Sequence, residues 1–248
     1  MKLIELVPRS LSEIRDQALA LLKEFPLLDG VNIPDVVRLP HRSHEVALDL
    51  AANGILAVPH IRCIDRPLED TVALAQRLFD GGVKHMLVVS GDRPKNGDSV
   101  HDVSPIDAIR RIKSEVPAMT VYAGIDPYRS NLKTEVAYIR AKQAAGVDGF
   151  FSQPFFDVRL AAFFEHLLNG APLFIGISPV ISEASKTYWE TVNHVVFAPD
   201  FELTMDHNAM VAARLIQFAD QRNQHVYLMP IKADPVVYLR AMLRHPQS

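Results

Sequence analysis

The fold class that this 248-residue sequence predicts is α/β, a single-domain (β/α)8 TIM barrel, and three observations predict it. Short apolar runs alternate with amphipathic helical patterns along the whole chain, the pattern of a parallel sheet wrapped by helices. The length suits one large barrel, and no low-complexity linker divides the chain. No G-x-G-x-x-G follows the first apolar run, which removes the main support for the runner-up, an open doubly wound sheet.

The strand runs, in order, are "KLIELV", "GVNI", "ILAVPHIRC", "HMLVVSG", "MTVYAGI", "GFFSQPF", "PLFIGIS" and "VYLMPI". Between them the apolar residues repeat at helical spacing. In "LEDTVALAQRLFDGG", Val72, Ala75, Leu78 and Phe79 share one face; Pro67 precedes the segment and Gly81–Gly82 ends it. "VALDLAANG" and "VAYIRAKQAAG" end in the same way. The domain spans 1–248, and a helical insertion is expected at about 194–224 before the last strand. That stretch holds "HNAMVAARLIQFADQR" after an irregular "FAPDFELTMD".

Hydrophobic residues are 48% and charged residues 22%, which supports a substantial core in a soluble protein. A net charge of −3 with scattered basic residues gives no nucleic-acid footprint, and no run approaches a membrane span. "MKLIELVPRS" lacks the hydrophobic stretch of a signal peptide, so the expected location is cytoplasmic. The lone Cys63 excludes an internal disulfide and a cysteine-ligated cluster within the chain.

In a barrel, active-site groups project from the C-terminal ends of the strands. By the strand assignment these are Glu5, Asn32, His60, Asp92, Tyr122, Asp126 and Gln153. Glu5 lies between Ile4 and Leu6. It is either paired with Arg9 or Arg15, or it is a carboxyl group in a dry interior, where desolvation raises its pKa and suits it to general-acid work. Asp92, taken alone, reads as a turn cap or a partner of Arg93 or Lys95, and His60 as a satisfied core histidine. No His/Asp/Glu cluster has metal-ligand spacing, and no G-x-S-x-G supports a serine nucleophile.

Together these residues carry a resemblance. "VPHIRCID" followed by "GGVKHMLVVSGDRP", then "FFSQPFFD" and "GISPV", with "IELVPR" at the start, resemble in order the motifs of the methylenetetrahydrofolate reductase family. The resemblance covers nearly the whole chain. It implies a flavin-dependent barrel oxidoreductase that reduces 5,10-methylenetetrahydrofolate to 5-methyltetrahydrofolate, or runs the reverse oxidation. It implies Glu5 as the general acid at the folate N10, and Asp92 near the flavin ring and the pterin. Gln153 falls on the pterin-binding glutamine, and Trp189 on an aromatic residue that stacks on folate. Ser185 stands where a glutamine is common. His60, Tyr122, Lys142 and the Ser90–Gly91–Asp92 turn fall on flavin-binding positions, and Asn32 on a flavin-contacting threonine. The implied cofactor is FAD, with NADH or another electron donor.

The departures concern charge. Ser90 replaces an arginine, Ala141 a basic residue near the flavin phosphates, and Asp126 a histidine of the loop after the fifth strand. Losing cations weakens diphosphate binding, so FMN, or no tightly bound flavin, stays open. Partners expected are the folate substrate, a second copy of the chain, and an electron-donor or methyl-transfer protein. Two rivals are an auxiliary folate-binding subunit without its own flavin and a Schiff-base aldolase using Lys232.

Overall fold

The computed structural model describes residues 1–93 and 100–245. Eight parallel strands close into a barrel in sequence order: β1 Lys2–Glu5, β2 Gly30–Ile33, β3 Ala57–Arg62, β4 His85–Val89, β5 Thr120–Ile125, β6 Gly149–Pro154, β7 Leu173–Ile177 and β8 His225–Leu228. β1 pairs with β8 as well as with β2, so no sheet edge is left open. Seven of the eight apolar runs read from the sequence contain one of these strands, and the eighth, "VYLMPI", begins one residue after the start of β8.

The helices that alternate with the strands are α1 Leu11–Glu24, α2 Ser43–Ala52, α3 Leu68–Asp80, α4 Pro105–Glu115, α5 Leu132–Ala144 and α6 Val158–Leu167. Their starts follow from local chemistry. The side chains of Ser10, Ser104, Asn131 and Asp157 each accept a hydrogen bond from a first-turn N–H, and Pro105 occupies a position whose N–H needs no partner. The β7–β8 connection carries two helices, α7 Glu183–Val192 and α8 Met205–Gln221, and α9 Pro235–Met242 follows β8.

Residues 194–224, expected as an insertion, contain α8, which packs on β7, β8, α6 and α9 and so takes a place in the outer ring. The supernumerary helix of this connection is α7. Helical periodicity is the same for a ring helix and an added one, so sequence spacing does not tell them apart.

Alternation along the strands divides the core in two. Ile4, Val31, Ile61, Val88, Val121, Phe150 and Ile175 face outward and pack with the helices. Leu3, Val58, Leu87, Tyr122, Phe151, Phe174, Tyr227 and Met229 come only from strands and the residue after β8, and they fill the barrel lumen. Phe151 and Phe174 stack with centroids 4.0 Å apart, and Tyr122 meets Phe174 edge-on at 5.0 Å. Aromatic pairs of this kind contribute about 0.5–1.5 kcal/mol each beyond burial. This plug is the floor beneath the site.

Candidate active site

Above the plug, lumen-facing polar residues replace the apolar ones. Glu5 ends β1 and pairs in register with Asn32 of β2; His60 lies on β3. The Asn32 amide donates through Nδ2 to Glu5 Oε2 at 3.2 Å, and the same nitrogen is 3.2 Å from His60 Nε2. Burial pushes the Glu5 carboxyl up to about 7, with the Asn32 hydrogen bond opposing the rise. Burial pushes His60 down to about 4, so the ring is neutral near pH 7. With Asn32 donating to Nε2, the ring proton sits on Nδ1. Asn32 itself is fully buried, and its Oδ1 has no partner. An orphaned buried acceptor is costly unless a ligand or water fills its place.

A cleft of about 570 Å³ opens at the C-terminal ends of β2–β6; of these three residues His60 lines it, whereas Glu5 and Asn32 do not. His60, Ser90, Gly91, Asp92, Asp126, Lys142 and Gln153 all line it, as expected from the sequence. Gln153 faces the cleft and Phe150 is fully buried in the outer core, as strand alternation requires; Phe155, just past the end of β6, is buried there too. Asp92 stands exposed at the mouth. Asp126 Oδ1 accepts the Tyr128 N–H at 3.0 Å and so also shapes its own loop.

Lys142 projects from α5 and is only 3% exposed. Its Nζ lies 2.5 Å from the Gly124 carbonyl oxygen and 3.7 Å from the Tyr138 ring centroid. Among the described residues no carboxylate comes within ion-pair distance of it. Burial lowers its pKa to about 8, with Glu135 opposing the shift.

Several expected residues lie elsewhere. Tyr122 is a correction: it is the third of six residues in β5, inside the plug, and its hydroxyl pairs with His85 Nδ1 at 3.2 Å. His85 begins β4, so this phenol points to the opposite end of the barrel from the cleft. Trp189 is also a correction. It is 4% exposed in a cluster with Phe156, Val180 and Val195, so its faces are covered by protein rather than offered to a ligand. Ser185 is buried in the first turn of α7, its N–H bonded to Ser182 Oγ at 3.2 Å, and does not line the cleft. Lys232 is exposed, away from the cleft, on a left-handed backbone with φ 56°.

Among the described residues, four charged or polar side chains of the cleft were not anticipated: Asp35, Arg62, Arg129 and Tyr138. Two had a readable signal. Arg62 lies two residues after His60 on one strand, hence on the same face, and Tyr138 lies one helical turn before Lys142. Asp35 and Arg129 come from loops, whose side-chain directions have no periodic signature. Among the described residues no group of three metal-ligating side chains occurs. None of the described helices is long and apolar enough to cross a membrane.

The family model described as methylenetetrahydrofolate reductase matches residues 38–203. A relative from Buchnera aphidicola subsp. Baizongia pistaciae, named 5,10-methylenetetrahydrofolate reductase, is 26% identical over 170 residues, which is 66% of this chain and 56% of that protein. Proteins of the same name from Salmonella typhimurium and Escherichia coli K12 are 24% and 23% identical, over 58% of this chain and 50% of theirs. The matches thus span about half the length of these relatives. Among solved structures, 2,3-dimethylmalate lyase superposes with a TM-score of 0.61 at 12% identity, covering 98% of this chain and 78% of that one. Oxaloacetate acetylhydrolase gives 0.61 at 11%, covering 98% and 79%. At such identity these two show a shared barrel and nothing of chemistry.

Proposed function

Because the chain belongs to the methylenetetrahydrofolate reductase family, we propose that its cleft reduces 5,10-methylenetetrahydrofolate to 5-methyltetrahydrofolate with a flavin as the redox group. The observation that carries this reading is the hydrogen-bonded chain Glu5–Asn32–His60, which joins a desolvated carboxyl at the end of β1 to a histidine that lines the cleft. The neighbouring groups suit a flavin nucleotide. Buried Lys142 and the guanidinium groups of Arg62 and Arg129 suit phosphate oxygens. A bound reduced flavin supplies the hydride equivalent.

The chain's own residues do the rest. A protonated Glu5 delivers its proton to N10 of the folate, opening the methylene bridge to an iminium carbon that can accept hydride. A pKa near 7 leaves that proton available at neutral pH while keeping it easy to give up. Asn32 fixes the direction of the carboxyl. Gln153 offers both a donor and an acceptor to the edge of the pterin, and the aromatic plug closes the lumen to water from below. Asp92, at the mouth, places negative charge beside the cationic reacting system.

The test is direct. The purified protein is incubated with FAD, freed of excess, and assayed for 5-methyltetrahydrofolate with NADH or dithionite as the reductant. A bound flavin spectrum together with product formation supports the reading. Flavin binding without product, or no flavin binding at all, removes it.

A further inference from the structure

Three cations line the cleft, and their commitments differ. Lys142 is lodged against the Gly124 carbonyl and the Tyr138 ring. Arg129 is about half exposed at the rim, and its Nη2 is taken by Glu135 at 2.9 Å. Arg62, the last residue of β3, is 13% exposed and is fixed from behind. Its Nε lies 3.1 Å from both Asp65 carboxylate oxygens, and its Nη2 donates to the Asp92 carbonyl at 2.7 Å.

Asp65 is itself shared. Arg42 pairs with Asp65 and also with Asp35, whose side chain is 1% exposed. The result is a chain of alternating charge, Asp35–Arg42–Asp65–Arg62, with Arg62 as its end in the cleft. Asp65 is thus shared between two guanidinium groups; the four charges sum to zero, and what Arg62 keeps for the cleft is unused donors. A guanidinium has five N–H donors in a rigid fork. Nε and one Nη2 proton are used; among the described residues the other three have no acceptor. The group is preorganised, desolvated on one side and supplied with spare donors toward the cavity.

The turn after β4 is built to admit it. Gly91 has φ +87°, and a Cβ placed there would lie 3.1 Å from both Arg62 Cζ and Nε. Glycine at 91 thus serves the left-handed backbone and the close approach of the guanidinium together. The side chain that β4 itself offers at this turn is Ser90, beside the Tyr138 phenol. The charge at the end of β4 therefore comes across from β3.

We infer that Arg62 is a phosphate-binding cation of this cleft, recognising a phosphate ester or diphosphate on the ligand through the free edge of its guanidinium. The inference deepens the flavin reading and rests on it. It also revises the expectation that Ser90 leaves the site short of charge.

The experiment measures equilibrium binding of FAD and of riboflavin, which shares the ring and ribityl chain but has no phosphate. The proteins are the flavin-stripped parent, Arg62→Met, and the relocation variant Arg62→Ser/Ser90→Arg. Charge-assisted hydrogen bonds of this kind correspond to a roughly 10–100-fold change in affinity. Arg62→Met should weaken FAD by that factor and leave riboflavin within about twofold. The relocation variant should recover most of the loss, because it returns a guanidinium to the same turn. Equal losses for FAD and riboflavin would make Arg62 a structural residue and overturn the inference. Unchanged FAD affinity in Arg62→Met would overturn it while the flavin reading stands. Failure of the parent to bind either compound would remove the flavin reading itself and this inference with it.

Discussion

The side-chain amide of Asn32 donates to the Glu5 carboxyl at 3.2 Å, and this one bond opposes the burial that pushes Glu5 up to about 7. A hydrogen bond to a carboxylate favours its charged form. Removing the donor in Asn32→Leu should therefore move the Glu5 pKa above its present value. The reaction depends on protonated Glu5, so its alkaline fall should shift to higher pH. The measurement is the rate of flavin reoxidation by methylenetetrahydrofolate between pH 6 and 9. A limb that stays in place would disconnect Asn32 from the acid.

Glu5→Gln should lower that rate by the ~10²–10⁴-fold typical of a positioned acid–base group while leaving flavin content intact. The same substitution carries a stability signature with a definite sign. Burial pushes the Glu5 pKa up to about 7 in the folded protein, from 4.5 for a solvated glutamate. Between these values the native state holds a proton that the unfolded chain has lost, so this group's contribution to stability falls as pH rises through that window. Above pH 7 the cost levels at roughly 3 kcal/mol. Glu5→Gln should thus melt several degrees above the parent at pH 8 and close to it at pH 4. Identical melting curves at pH 8 would show that Glu5 is not desolvated.

Lys142 poses the same trade in the opposite charge. Its pKa is pushed down from 10.5 to about 8 by burial, so the native state is penalised below pH 8 and regains stability as pH rises toward 10.5. Lys142→Met should raise the melting temperature of the flavin-free protein at pH 7 and weaken FAD binding by at least tenfold. Thermal melts and FAD titrations on the same preparations check both halves. A variant that is less stable and binds FAD normally would make Lys142 a structural residue.

Trp189, the only tryptophan, is 4% exposed and meets Phe156 edge-on at 5.6 Å. Its emission should be blue-shifted and insensitive to saturating folate, and Trp189→Ala should cost about 3–5 kcal/mol through the cavity it leaves. Denaturant melts and a fluorescence titration measure these. Saturable quenching by folate would place the indole in the ligand site instead.

The barrel was legible because each strand is a compact apolar run, such as "HMLVVSG", and most helix starts carry a side-chain cap, as at Ser104–Pro105. The cleft residues at strand ends were legible for the same reason: His60 and Gln153 follow from strand position and alternation. Tyr122 was misplaced because a strand-end assignment is uncertain by a few residues, and three residues separate its hydroxyl at the barrel floor from the end of β5. Trp189 was misread because an aromatic residue on a helix has the same spacing whether a ligand or Phe156 covers it. The alternating charges of Asp35, Arg42, Asp65 and Arg62 come from separate segments and meet only when β2 and β3 pair. No local pattern announces such a network.

The most direct measurement is a single turnover. Flavin-loaded protein is reduced anaerobically and mixed in a stopped-flow instrument at pH 6.5 with 5,10-methylenetetrahydrofolate, while the flavin absorbance is followed. The expected result is a rapid return of oxidised flavin with one equivalent of 5-methyltetrahydrofolate, slowed at least ~10²-fold in Glu5→Gln at equal flavin loading. Flavin that stays reduced in the parent, or that reoxidises equally fast in Glu5→Gln, would contradict a folate-reducing site built on Glu5.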